Sequence, residues 1–196
     1  MAEVELPDPH ELEEQRDKAF SRRVALVTAV YAVVLAIASL GGNNAMKEML
    51  LAQQEASNQW AYYQSKVIRE HLNRGNKLVL EMQLAEPSTL KGAEREKLDG
   101  LARKFADEEK RMNADKKEIE PKAKAAEAER DRNQTRDPYF DYAEVLLQIA
   151  IVCASVSILS TSRPMFWFSS LLAVLGALSA VNGFLLFFRL PFLHGH

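Results

Sequence analysis

The chain has 196 residues, with 25 Lys+Arg against 27 Asp+Glu and a single cysteine. One cysteine excludes an internal disulfide framework and a thiolate zinc site, and a formal net charge of −2 excludes the basic face a nucleic-acid protein presents. Residues 24–40 and 143–188 are almost free of charge, whereas 41–141 carries 19 basic and 19 acidic side chains. No single globular core sorts its residues this way, so apolar spans flanking a water-exposed middle are expected.

Residues 1–23 form a charged leader, in which Glu11, Glu13, Glu14 and Asp17 precede Arg22-Arg23. The next apolar run, 24–40, covers about 26 Å as a helix, the lower end of what crosses a bilayer. Ala25, Ala29, Ala32 and Ala36 place a small-residue stripe along it, and small residues let helix backbones approach closely in lipid. The competing reading is a cleaved signal peptide, with Ala36-Ile37-Ala38 as a small-x-small site. The long acidic leader argues against that, because a signal peptide opens with a short basic region. Gly41-Gly42-Asn43-Asn44 reads as the exit from the span.

The middle, 41–141, reads as a long, coiled-coil-like helical hairpin. Its first arm is rich in strong helix formers, and Met49, Ala52, Ala56, Trp60, Tyr63 and Val67 recur at threes and fours on one face. Asn73-Arg74-Gly75-Asn76 weakens that helix, and Glu86-Pro87-Ser88-Thr89 ends it, with Ser88 or Thr89 capping the second arm from Leu90. In the second arm Leu98, Phe105, Met112, Ile119 and Ala126 fall seven apart. Leu101 fills one intervening position, while Glu108, Asp115 and Lys122 occupy the next, so the seam is narrow. Asp99–Arg103, Asp107–Arg111, Glu118–Lys122 and Glu120–Lys124 are acid-before-base pairs four apart, each adding about 0.2–0.5 kcal/mol to an exposed helix. Pro121 predicts a kink or break. Lys116-Lys117 and Arg130-Asp131-Arg132 read as solvated charge.

Asp137-Pro138 has the composition of a helix cap and first turn, and opens a second span over 142–161. Ser162-Arg163-Pro164 breaks the chain before a third span over 164–188, leaving 189–196 as a short tail. Ala173, Gly176, Ala177, Ala180 and Gly183 form a second small-residue stripe. Tyr139, Tyr142, Phe166 and Trp167 sit near span ends, as interfacial aromatics do.

No phosphate loop, zinc motif, nucleophile elbow or dinucleotide fingerprint is present, so no catalytic, cofactor-binding or metal-binding residue is assigned and no enzyme is expected. His10 and His71 lie among ordinary charged neighbours, and His194-Gly195-His196 is a terminal pair. Cys153, inside a span, reads as a small packing residue. Glu144 and Gln148, one turn apart in the second span, are the polar residues through which an ion path would run.

Several stretches resemble a bacterial family of small membrane proteins known as a domain of unknown function. They are Arg22-Arg23-Val24-Ala25-Leu26, Gly42-Asn43-Asn44-Ala45, and Trp60-Ala61-Tyr62-Tyr63-Gln64-Ser65-Lys66 with Ile68-Arg69; the later apolar pair is similar in placement. The resemblance implies a bacterial inner-membrane protein and brings no catalytic residues. The span–long loop–span–span order also looks like proton-driven motor subunits of the TolQ and ExbB kind, in topology alone.

The expectation is therefore an all-α membrane protein: three transmembrane helices, with the helical hairpin inserted between the first and second. The function expected is a non-enzymatic scaffold anchored in the lipid bilayer, self-associating as a homo-oligomer, with an unidentified membrane protein as a further partner. The alternative is a channel or transport accessory using Glu144 and Gln148. Arg16, Lys18, Arg22, Arg23 and Arg163 favour a cytoplasmic N-terminus and place the hairpin in the periplasm, although Arg130, Arg132 and Arg136 weigh against it.

Overall fold

The computed structural model describes residues 9–86 and 91–188, with side chains from Glu13 onward. It contains three helices, α1 (Pro9–Ala85), α2 (Gly92–Ser160) and α3 (Arg163–Leu185), and no strand among the described residues. The all-helical class read from the sequence is thus observed. Each helix contains a segment long and apolar enough to cross a membrane, by length and composition.

The helices are longer than the expected pieces. α1 continues without interruption through Gly41-Gly42-Asn43-Asn44 and through Asn73-Arg74-Gly75-Asn76. α2 continues through Pro121 and through Asp137-Pro138, so Asp137 is an interior residue and not a cap. An interior proline costs roughly 3 kcal/mol. Here each is flanked by buried side chains, Ile119 and Ala123 around Pro121, and Tyr139 and Phe140 after Pro138. Packing of these neighbours holds the helix where local propensity would break it. The cap of α2 is Lys91, whose carbonyl accepts from the Glu94 and Arg95 N–H groups, while its own N–H donates to the Glu94 carboxylate at 3.3 Å. The expected stop at Pro87, the caps Ser88 and Thr89, the start at Leu90, the tail 189–196 with His194 and His196, and the His10 side chain lie outside the described residues.

The chain divides into two compact units, Met1–Glu48 with Arg132–His196, and Met49–Asp131. In the first, Val24, Tyr31 and Ala38 of α1 pack with Ala143, Leu147, Ala150 and Ala154 of α2 and with Ala173 and Ala180 of α3. The α1 contributors are seven apart, so one narrow face is buried. Three hydroxyls inside are satisfied: Ser169 Oγ donates to the Ala150 carbonyl at 2.7 Å, Tyr31 Oη to Ser170 Oγ at 2.8 Å, and Ser179 Oγ to the Tyr139 carbonyl at 2.8 Å. The α2–α3 turn passes through Thr161 at φ 46°, and Ser157 Oγ donates to the Ser162 carbonyl across it. Leu186, at φ 51°, closes α3 by donating its N–H to the Asn182 carbonyl.

In the second unit α1 and α2 segments run antiparallel, pairing Gln53 with Arg130, Trp60 with Glu127, Lys66 with Asp115 and Arg74 with Glu109. The apolar interior is thin: Ala52 and Ala56 of α1 and Ala102, Met112, Ile119 and Ala123 of α2 are its buried residues. The seven-spaced series does face inward, with Leu98, Phe105 and Ala126 half-buried. The intervening inward set differs from the expected one. It is Ala102, Glu109, Lys116 and Ala123, four residues on, and Leu101 is 45% exposed. A heptad alternates steps of three and four, and here the step of four follows the seven-spaced residues. Leu101 is therefore not a contact of this seam.

Candidate functional site

Where the apolar residues of the second unit give out, charged residues take over the seam. Lys66, Glu70 and Lys77 continue the inward face of α1, with the exposed Arg74 beside them at its edge. Opposite them on α2 stand Asp115, Lys116, Asn113 and Glu109. Lys66 Nζ donates to Asp115 Oδ2 at 2.6 Å, and Glu70 forms an ion pair with Lys116. Asn113 Nδ2 donates to Glu70 Oε1 at 3.3 Å, and Arg74 Nε donates to Glu109 Oε1 at 2.8 Å, with Lys77 Nζ 3.8 Å from the same carboxylate. Only 7% of the Glu70 side chain and 16% of the Lys116 side chain remain exposed. The reading of Lys116 as solvated charge is thereby overturned: α1 covers it.

The electrostatics follow from these bonds. Lys66 is held above the ordinary lysine value, chiefly by its hydrogen bond to Asp115, and Asp115 is lowered by the same bond. Glu70 is lowered first by Lys116 and less by Asn113, with burial opposing. The cover is one side chain deep, because two helices bring little low-dielectric mass around each charge. These pairs therefore behave energetically more like surface pairs than buried ones.

What the ladder does chemically is fix register. Sliding α2 by seven residues one way would set Lys66 against Lys122 and Arg74 against Lys116. Sliding it the other way would set Glu70 against Glu109. Each slip trades attraction for like-charge contact, the repulsive element that specificity needs. Trp60 adds a directional contact at the apolar end, its Nε1 donating to Glu127 Oε1 at 2.9 Å while its ring meets Tyr63 edge-to-face at 5.4 Å. Val67 is half-buried beside the seam. On the outer surface Asp99–Arg103 and Glu120–Lys124 form as expected, and Arg111 turns to Glu108 in place of Asp107.

In the first unit the α3 stripe faces inward, with Ala173, Gly176, Ala180 and Gly183 buried and Ala177 half-buried. A Cβ on Gly176 would lie 2.9 Å from Leu147 Cγ and 3.2 Å from the Ala143 carbonyl oxygen, so α2 and α3 meet there at backbone distance. Ala25, Ala29, Ala32 and Ala36 are all exposed, since α1 turns Val24, Tyr31 and Ala38 inward instead. Glu144 is half-buried near Gly42, and Gln148 is exposed, so no shared polar site forms from the two. Cys153 is buried.

The sequence reading passed over one constellation here. Phe140, 2% exposed, meets Phe184 edge-to-face at 4.9 Å, and both rings crowd Gly41. Gly183 approaches the same edge of Phe140. The available signal was a glycine pair in a stretch that the flanking residues otherwise make helical; an interior helical glycine at about 1 kcal/mol calls for a packing reason.

Among the described residues no group of three or more His, Cys, Asp or Glu is placed to hold a metal ion. No curated protein and no solved structure matches the chain. The family described as a domain of unknown function (DUF4337) matches residues 20–186, which takes in all the helical packing described above, and the chain belongs to that family.

Proposed function

We propose that this protein is a non-enzymatic, membrane-anchored scaffold that self-associates. In this reading 24–40, 142–161 and 164–188 cross a bacterial inner membrane, and 41–141 forms a helical hairpin inserted between the first two spans, on the periplasmic side. The observation that carries self-association is a second apolar face on α1 within the second unit. Ile68, Leu72, Val79 and Met82 are all exposed, Met82 to 74%, at helical spacing and on the side away from Lys66, Glu70 and Lys77. Gly75 lies among them with open space around it. A stripe of that kind in the most charged third of the chain marks a protein contact surface. The exposed alanines of the first span, Ala25, Ala29, Ala32 and Ala36, offer a matching surface for a second copy in lipid.

The test is the intact mass of the full chain purified in native lipid. An oligomer that dissociates in an Ile68→Asp/Met82→Asp variant of unchanged helicity supports the scaffold. A monomeric wild type overturns it. Ion flux that depends on Glu144 or Gln148 would replace it with the transport reading.

A further inference from the structure

One cavity in the first unit lies apart from its buried apolar cluster. It encloses about 210 Å³ and is floored by the paired rings of Phe140 and Phe184 between Gly41 and Gly183. Its polar wall is Asn44 and Glu48, one turn apart on α1, and Arg136 on α2. The glycines open this space: a Cβ at Gly41 would lie 2.6 Å from Phe140 and 2.7 Å from Phe184.

Arg136 is the informative residue. Its guanidinium lines the cavity, and among the described residues its Nη2 makes one long hydrogen bond, to the Phe184 carbonyl at 3.4 Å. A guanidinium presents five N–H donors in a planar fork that matches phosphate, so an arginine lining a cavity with one long bond has donors to offer an acceptor within it. A bare dianion is disfavoured, because Glu48 lines the same space. A ligand carrying both a phosphate and an ammonium satisfies both charges, with the Asn44 amide as a further donor. The cavity also lies at the boundary of the apolar runs: Gly41 follows 24–40, Phe140 precedes 142–161, and Phe184 is in the last turn of α3. Leu40, Leu185 and Phe187 leave apolar surface exposed at that boundary, where acyl chains would run.

We infer that this cavity binds the headgroup of a zwitterionic aminophospholipid, with Arg136 and Asn44 on the phosphate and Glu48 on the ammonium. The inference rests on the membrane reading above, since a lipid reaches the cavity only if the apolar runs lie in a bilayer.

The test uses the full chain in discs of equal parts phosphatidylethanolamine, phosphatidylglycerol and phosphatidylcholine, followed by detergent extraction and mass analysis of retained lipid. Wild type should retain phosphatidylethanolamine with about tenfold enrichment, the scale of one charge-assisted hydrogen bond. Arg136→Gln should lose retention of all three lipids. Glu48→Gln should keep retention and lose the preference for the amine. Soluble glycerophosphoethanolamine should compete, and inorganic phosphate should not. No enrichment in wild type, equal displacement by inorganic phosphate, or wild-type retention by a helical Arg136→Gln protein would each overturn the site. Should Arg136→Gln not fold, wild-type selectivity and exposed Glu48 decide the matter. A chain that washes from membranes at alkaline pH defeats the membrane reading itself; a chain that stays but shows no enrichment defeats only the site.

Discussion

Gly41→Ala and Gly75→Ala make the same chemical change in the same helix and should move stability in opposite directions. Replacing an interior helical glycine with alanine gains about 0.5–1 kcal/mol from backbone entropy and propensity. At Gly75 nothing lies within 4 Å of the added Cβ, so that gain is realised in full. At Gly41 the added carbon would sit 2.6 Å from Phe140 Cε1, 2.7 Å from Phe184 Cζ and 2.9 Å from Phe140 Cζ. Phe184 is 45% exposed and can give, but Phe140 has little room to yield. Phe140 is 2% exposed, and Gly183 bounds the same ring edge, at 3.0 Å from its own would-be Cβ. Overpacking of this kind costs about 1–3 kcal/mol. Setting that against the propensity gain leaves Gly41→Ala destabilised by up to about 2.5 kcal/mol.

The assay is thermal unfolding of the full chain in lipid discs, followed by circular dichroism. At roughly 2–4 °C per kcal/mol for a chain of this size, Gly41→Ala should melt several degrees below wild type and Gly75→Ala level with it or above. A Gly41→Ala protein as stable as wild type would show that the rings move freely. The close approach of α1, α2 and α3 around Phe140 would then be no constraint, and the argument from glycine spacing would fail.

The remaining expectations are these. Glu70 and Asp115 are lowered from 4.5 and 3.8, so their contribution is complete above those values and lost as pH falls through the lowered ones; Lys66, raised from 10.5, contributes fully below that value and less as pH rises past its raised one. Trp60 emission in a Trp167→Phe protein should therefore hold steady between about pH 5 and 10 and shift to the red in stronger acid, and a flat profile to pH 2 would deny the ladder a role. Ser169→Ala should cost about 0.5–1 kcal/mol in the same melting assay, because the Ala150 carbonyl it leaves keeps its helical bond. Gly176→Leu should cost more than Leu175→Ala, which lies on the exposed side of α3, and equal melting would refute close α2–α3 contact there. For orientation, Lys110→Cys in a Cys153→Ala background should react with an impermeant thiol reagent in intact spheroplasts; labelling only after lysis would put the hairpin in the cytoplasm.

Helix content was legible because Ala, Leu, Glu, Lys and Gln dominate the middle and apolar runs dominate the flanks, and neither signal needs tertiary information. The breaks were misread from local residues alone. Gly41-Gly42, Pro121 and Pro138 are local signals that give way beside buried neighbours, and Gly75 is a single glycine that strong helix formers on either side carry through. The alanine stripe of the first span shows a further limit. Ala25, Ala29, Ala32 and Ala36 are indistinguishable by composition from Ala38 and Ala45, yet the first four are exposed and the last two buried. In an apolar span the inward face is not the more hydrophobic one, so periodicity names several candidate faces and packing selects among them.

The seam of the second unit carries that reasoning a step further. The seven-spaced series Leu98, Phe105, Met112, Ile119 leaves open whether the next inward position is three or four residues on. Reading three gives Leu101, Glu108, Asp115 and Lys122; reading four gives Ala102, Glu109, Lys116 and Ala123, which are the residues turned inward. Hydrophobicity favours the first set through Leu101, and Ala102 is too small to outbid it. The partner helix breaks the tie. Glu70 and Arg74 on α1 pair with Lys116 and Glu109 of the second set, while Lys66 reaches across to Asp115 of the first. An exposed Leu101 is then no anomaly. It is the apolar residue left outside by the register that pairs Glu70 with Lys116 and Arg74 with Glu109 and turns Ala102 inward.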